Sequence, residues 1–293
     1  MHYTGEVYRH PLEAKTPLLE VTTGCSWCKC TFCAMYLHSP FAISDLNVIE
    51  EDLQEIKSIY GENLSRISLV NGDVLSLPSE RIIKILELIN RYFPNIKVIS
   101  AQVSIRNLKH HTTESLKQMK SLHFNLFYIG IETGYDSALQ IMNKGVTNAD
   151  QYEQLHKLNE AEIDFAALLM IGIAGKGKSE DNVKATAKLL NETKPTMVSV
   201  ITTAVVKGSK LEQLRDNGEF VEQTEREHIS EEIALIKSLH LDGSIFFGSH
   251  ALNMVHISGR LGPDTEKILY RLNAALKEIP DNILDSILQR SNV

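Results

Sequence analysis

The chain has 293 residues, 43% hydrophobic and 23% charged, enough to bury a sizeable core as one large domain or one domain with an extension. A formal charge of −7 without any run of Lys or Arg excludes nucleic acid as the default partner. The opening Met1-His-Tyr-Thr-Gly-Glu6 has neither a basic nor an apolar region, and no apolar run nears the roughly 18 residues of a membrane helix, so a cytoplasmic protein that makes no membrane contact is expected.

Residues 1–17 carry Pro11 and Pro17 and read as an irregular lead-in. A strand is expected over 18–23, closed by Gly24, and a helix over 43–60, where Ile49, Leu53, Ile56 and Ile59 recur at helical spacing before Gly61. The alternation continues with strands at 66–70, 96–104, 126–131, 165–171 and 197–203. Helices are expected at 78–92, 113–122, 137–142 (closed by Lys144-Gly145), 149–158 and 181–190. Strands alternating with helices predict a parallel sheet with right-handed crossovers. Ser100, Gln102 and Ser104 share one parity of the third strand, as Glu20 and Thr22 do of the first, which suits a polar-lined barrel over an open sheet buried on both faces. Beyond 205 the pattern changes to helices at 210–217 and 222–239, a short strand at 244–247, a polar loop at 248–253 and a helix at 264–276. No flexible linker isolates this part, so it reads as an extension that closes the barrel.

All four cysteines, Cys25, Cys28, Cys30 and Cys33, lie in one loop directly after the first strand. Clustering of this kind points to a soft metal or to redox chemistry. A disulfide pair has no support, since nothing suggests secretion and a chain of this size needs no staple. Zinc would use Cys25-x2-Cys28 and Cys30-x2-Cys33, but only Lys29 separates the pairs, where zinc motifs place about 12–20 residues. The third reading is an iron–sulfur cubane on three thiolates with its fourth iron open, using the C-x4-C-x2-C spacing of Cys25, Cys30 and Cys33. Reduced thiols beside such a cluster also need a reducing, oxygen-poor compartment.

The cysteine loop, with Phe32 before its last cysteine, resembles that of the radical S-adenosylmethionine (radical SAM) superfamily. Its closest likeness is to a subgroup with x4 spacing, which has Asn where this chain has Cys28. The resemblance implies a partial (β/α)6 TIM-like barrel over 18–205, preceded by the lead-in 1–17 and followed by a C-terminal α/β extension over 206–293, of which 252–276 is similar to the subgroup's tail. It also implies a [4Fe-4S] cluster on Cys25, Cys30 and Cys33 with Cys28 spare, and S-adenosylmethionine (SAM) as second cofactor. In such barrels chemistry sits at the C-terminal strand ends. There, Asn71-Gly72-Asp73 resembles the family's Gly-Gly-Glu motif, which bonds the SAM amino group. Gly130-Ile-Glu132-Thr-Gly134 resembles the G-x-E-[ST]-G segment near the ribose and carboxylate of SAM, and the stretch from Ile171 containing Gly172 is similar to the segment against the adenine.

Each of these has a plainer reading beside it. Asn71-Gly72-Asp73 is also an ordinary turn, and Glu132-Thr133 also suits a helix N-terminus. Ser104-Ile-Arg106 closes the third strand, where the arginine either clamps a carboxylate or forms a surface ion pair. Phe32, Tyr36 and Trp27 flank the cysteines as shields or as simple packing. His38, His250, Asn253 and His256, with Tyr3, Tyr8 and His10, are the remaining polar side chains placed near a substrate.

The implied activity is reductive cleavage of SAM to a 5′-deoxyadenosyl radical that abstracts hydrogen from a small-molecule substrate, with a flavodoxin or ferredoxin as electron donor. With one spare thiol at most, no auxiliary cluster is expected. A zinc module, or a single-cluster electron carrier or sensor without SAM chemistry, stands as the alternative.

Overall fold

The β-branched and amphipathic runs fold in the expected order in the computed structural model, which describes residues 1–290. The described chain divides into two units, one of residues 1–28, 36–130 and 153–165, the other of 29–35, 131–152 and 166 onward.

In the first unit a one-turn 3-10 helix, Pro11–Glu13, precedes β1 (Leu18–Glu20), β2 (Thr22–Thr23), β3 (Ala42–Ile43), α1 (Leu46–Tyr60), β4 (Arg66–Val70), α2 (Ser79–Tyr92), β5 (Val98–Val103), α3 (Ile105–Leu108), α4 (Thr113–Ser121) and most of β6 (Phe124–Glu132). β1, β4, β5 and β6 pair in parallel in that order, with Leu19 opposite Leu69, Ile67 opposite Ile99 and Ala101 opposite Phe127. Helix stripes complete the core: Ile49, Leu53 and Ile56 of α1, and Ile82, Ile85, Leu86 and Ile89 of α2, are all buried. Full burial of each such side chain stabilises by about 1.5–3 kcal/mol.

The strand expected over 18–23 is two strands. Glu20 is the last residue paired with β4, Val21 lies in a bend, and Thr22–Thr23 pair antiparallel with Ala42–Ile43. Ser44 N–H donates to Val21 O (3.2 Å), so the helix expected from 43 begins at Leu46 behind Asp45.

The lead-in is anchored. Glu13 is buried, and its carboxylate accepts from Arg66 (Nε at 3.0 Å, and Nη2), Ser100 Oγ (3.0 Å) and Tyr128 OH (2.8 Å). Burial works against its charge, but the bonds from Arg66, Thr16 and Tyr128 prevail and hold its pKa at about 2. Ser100, expected to face a ligand-holding lumen, is therefore engaged by the chain's own N-terminal segment.

The second unit holds α5 (Asp136–Ile141), part of α6 (Asn148–Glu160), most of β7 (Asp164–Ile171), α7 (Ser179–Thr193), β8 (Met197–Thr202), α8 (Lys210–Asp216), α9 (Glu225–Ser238), β9 (Ile245–Phe247), β10 (Ser258–Arg260), α10 (Thr265–Glu278) and α11 (Asp281–Leu284). β7, β8 and β9 are parallel, and β10 returns antiparallel on β9. α9 starts in a capping box between Thr224 and Glu227, which satisfies two orphan N–H groups. Among the described residues no helix is long and apolar enough to cross a membrane.

Candidate functional site

The first half of the cysteine loop belongs to the first unit, and the ends of β4 and β5 support it. Asn71 and Gly72 both have left-handed backbone (φ +62° and +76°), which turns the chain sharply out of β4. Thr22 Oγ1 donates to Asn71 O (2.6 Å), Gly72 N–H donates to Tyr36 OH (3.2 Å), and Asn71 Nδ2 donates to the buried Glu20. Tyr36 in turn meets Tyr8 edge to face at 5.4 Å.

Asp73 is buried with its carboxylate fully engaged. It accepts from Leu75 N–H (3.0 Å), Ser104 N–H (2.9 Å), Ser104 Oγ and Asn107 Nδ2 (2.8 Å). Burial pushes its pKa up, while the bonds from Ser104 and Asn107 pull the other way. Asn107 Nδ2 also reaches Ser26 Oγ (3.1 Å), so one amide ties the cysteine loop to the acid after β4. Arg106, expected either to clamp a carboxylate or to form a surface ion pair, lays its guanidinium over Trp27, 4.0 Å from the ring centroid, as a stacked cation–π pair. Cys28 is exposed with φ +44°, its N–H pointing at Cys25 Sγ (3.4 Å) and its thiol at Tyr36 O (3.5 Å).

The second half of the loop belongs to the second unit and is docked on the C-terminal end of α5. Thr31 N–H and Oγ1 donate to Met142 O (2.9 Å) and Ile141 O (2.8 Å), satisfying carbonyls that the helix end leaves open. Asn143 Nδ2 donates to Lys29 O (2.9 Å), and Leu211 N–H to Thr31 O (2.9 Å). Cys33 N–H closes a turn on Cys30 O (3.3 Å). This docking brings Lys144 over the residue before Cys33: its ammonium is 5.8 Å from the Phe32 ring centroid and 2.5 Å from Glu132 Oε1. Burial opposes charge on Lys144, but the Glu132 carboxylate, and Cys30 and Cys33 in their thiolate form, raise its pKa above the usual lysine value. Glu132 has φ +63°, and the Thr133 N–H···O Ile131 bond (2.8 Å) around it makes the strained form of the γ-turn.

Gly172 has another setting. With φ +82°, its N–H donates to Glu231 Oε1 (3.0 Å), and a Cβ there would lie 2.6 Å from the His228 ring. Glu231, buried, also accepts from Asn182 Nδ2 (2.9 Å) and Gln223 Nε2 (2.7 Å), and Asn182 meets Thr133 Oγ1. Asn253 is buried and structural, holding Thr202 N–H (2.7 Å) and Gly248 O (2.9 Å). His10 stacks on Tyr128 (4.8 Å), Tyr3 OH donates to Leu18 O (3.0 Å), and His250 accepts from Leu252 N–H (3.2 Å). A concavity of 870 Å³ between α7 and α9 is lined by none of the expected site residues.

Asn107, Lys144 and Thr31 were not singled out from the sequence. Lys144 carried the only signal, as a lysine after a helix, where it reads as a partner for the helix dipole. None of the four cysteines is in a disulfide, and among the described residues no three His, Cys, Asp or Glu side chains stand close enough to hold a metal ion. The donor chemistry fits an iron–sulfur cluster: the loop offers thiols alone, one with a backbone N–H aimed at its sulfur, and Phe32, next to Cys33, lies under the Lys144 ammonium. Asn71 Oδ1 is a buried acceptor with no partner, which suits the ammonium of a bound SAM.

The family model of the radical SAM superfamily matches residues 19–190. An uncharacterised protein of Methanocaldococcus jannaschii, MJ0486, is 26% identical over 102 residues, which are 35% of this chain and only 31% of that protein. Among solved structures, methylornithine synthase (PylB) superposes with a TM-score of 0.59 at 14% identity, over 88% of this chain and 68% of its own. Coproporphyrinogen III oxidase (HemN) from Escherichia coli, a radical SAM enzyme, gives 0.51 at 19% identity, over 64% and 44%. At these identities the structural likeness concerns the fold, the partial TIM-like barrel with its mostly parallel strands.

Proposed function

From the premise that the chain belongs to the radical SAM superfamily, whose enzymes use a [4Fe-4S] cluster and SAM, we propose that Cys25, Cys30 and Cys33 hold that cluster and leave its fourth iron to SAM. Such a cluster, reduced by a flavodoxin or ferredoxin, would supply the electron for cleaving SAM to methionine and a 5′-deoxyadenosyl radical that would take a hydrogen atom from a small-molecule substrate. The single observation that carries the reading is the loop of four thiols after the first strand, within the stretch that matches the family.

The chain's own residues supply placement. Asn71 Oδ1 accepts from the SAM amino group, a task that Asp73 cannot share while its carboxylate already takes four protein donors. Asp73 acts at one remove, fixing Ser104 and Asn107 and through Asn107 the loop at Ser26. Phe32, Tyr36 and Trp27 limit water around the loop, Arg106 is held by its stack on Trp27, and Glu132 acts through Lys144. Gly172 lets the chain after β7 pass close to His228 and so shapes the adenine side. Cys28 is spare.

Anaerobic EPR of reconstituted, dithionite-reduced protein tests this. A cubane signal that shifts on adding SAM, with 5′-deoxyadenosine released above a Cys25/Cys30/Cys33→Ala control, is the expected result, and Cys28→Ala should retain the full cluster. A signal indifferent to SAM would assign the protein to electron transfer or sensing. Stoichiometric zinc without iron would assign it to a metal module.

A further inference from the structure

The loop from Lys29 to Cys33 is fixed to one helix end by three hydrogen bonds, two from Thr31 and one from Asn143. Thr31 is buried, so its own two bonds are largely shielded from water, whereas the bond from Asn143 is exposed. The chain leaving that helix end carries Lys144 back toward the loop, with its ammonium over Phe32, the residue before Cys33. Lys144 and Glu132 are nearly buried, at 13% and 11% side-chain exposure, so neither charge is well screened. Glu132 sits in a strained left-handed backbone position, which points to a role for where its carboxylate lies.

A cluster on three thiolates carries more negative charge when reduced than when oxidised. A fixed cation beside two of the ligands favours the reduced form, and a fixed anion favours the oxidised form. We propose, resting on the cluster reading above, that Lys144 is a positioning residue whose ammonium, over Phe32 in the turn from Cys30 to Cys33, sets the reduction potential of the cluster, with Glu132 holding it in place and offsetting part of its charge. The pair acts through the field at the sulfurs and does not touch the reacting atoms.

The test is an EPR-monitored redox titration of reconstituted protein without SAM, alongside iron and sulfide content. Lys144→Met should cut the ratio of reduced to oxidised cluster at a fixed potential about tenfold, equivalent to a midpoint lowered by about 59 mV for one electron. Glu132→Gln should move the midpoint the other way, because it leaves the lysine uncompensated. Lys144→Arg, which keeps the charge, should stay within about twofold of the parent. A merely structural role would change cluster content but would not give shifts of opposite sign. Midpoints of Lys144→Met and Glu132→Gln that equal the parent's, or move together, overturn the proposal. Should Lys144→Met bind too little cluster to titrate, Glu132→Gln decides alone, and an unchanged or lowered midpoint is fatal. Failure of the parent protein to bind any SAM-responsive cluster would instead overturn the functional reading.

Discussion

The carbonyl oxygen of Gly24 occupies the space where a side chain on Gly72 would begin: a Cβ there would be 2.3 Å from it. The chain entering the cysteine loop and the chain leaving β4 thus meet backbone to backbone, and Thr22 Oγ1 on Asn71 O locks the same junction.

Gly72→Ala is accordingly expected to be damaging. The left-handed backbone alone costs about 1–3 kcal/mol for a residue with a Cβ, and the obstacle is a backbone oxygen that cannot rotate aside. Urea unfolding should show a lower midpoint with an unchanged slope, and the variant should bind less iron. A variant as stable as the parent would mean that the two segments are not packed as described.

Asp73 and Asn71 should separate by assay, although they are two residues apart. Removing a buried acceptor that takes four donors orphans all of them, so Asp73→Ala should lose about 2–4 kcal/mol of stability in the protein without cofactors. Asn71→Ser removes an acceptor that has no partner in the protein, along with one bond to Glu20, and should weaken SAM binding about tenfold or more with a smaller change in melting temperature. If Asp73→Ala left the melting temperature unchanged and lost only SAM affinity, its carboxylate would have to serve the ligand directly.

The βα alternation and the cysteine loop were legible because each rests on local pattern: hydrophobic period for one, residue type at short spacing for the other. What escaped reading depends on pairing across the chain. Leu18 to Thr23 is an unbroken β-like run, and only its partners show that Val21 divides it. Ile43 reads as the apolar start of the run that becomes α1, yet it lies in β3, half exposed. Glu13 looks like a surface acid in a proline-flanked lead-in, and its burial follows from Arg66, Ser100 and Tyr128, which lie 53–115 positions away. Asp73 was recognised as an acid at a strand end, but its saturation by Ser104 and Asn107 needs the register of β4 on β5. Lys144 is 111 positions beyond Cys33, and only the docking of Thr31 on α5 brings its ammonium over Phe32, the residue before Cys33.

Acid should unfold the protein through two buried carboxylates. Glu13 and Glu225 both have folded pKa values of about 2, against an ordinary 4.5. Burial opposes this in each, but is outweighed by bonds from Arg66, Thr16 and Tyr128 in the first case and from His228 and Arg290 in the second. A lowered folded value means stability that is present above about pH 4.5 and lost as pH falls toward 2. Each group contributes about 3 kcal/mol over that window. Glu225→Gln should flatten its share of the loss, and a parent whose stability is constant from pH 5 to pH 2.5 would rule the mechanism out.

Glu232 predicts a slope of opposite sign at higher pH. It lies on α9, buried, with Oε1 lacking any hydrogen-bond partner, and burial pushes its pKa up to about 8. The folded protein therefore keeps this carboxyl protonated at neutral pH, while the unfolded chain releases the proton near the ordinary 4.5. A raised folded value means that stability is fully present below about pH 4.5 and declines as pH rises through 8, by about 3 kcal/mol at pH 7 and nearer 5 kcal/mol above pH 8. Glu232→Gln keeps the shape and cannot ionise, so it should be more stable than the parent at pH 8 and close to it at pH 5. Melting temperatures of the two proteins from pH 5 to pH 9 decide the point: parallel curves would mean that Glu232 reaches water or finds a partner in solution, and converging curves toward acid would establish it as a buried neutral acid.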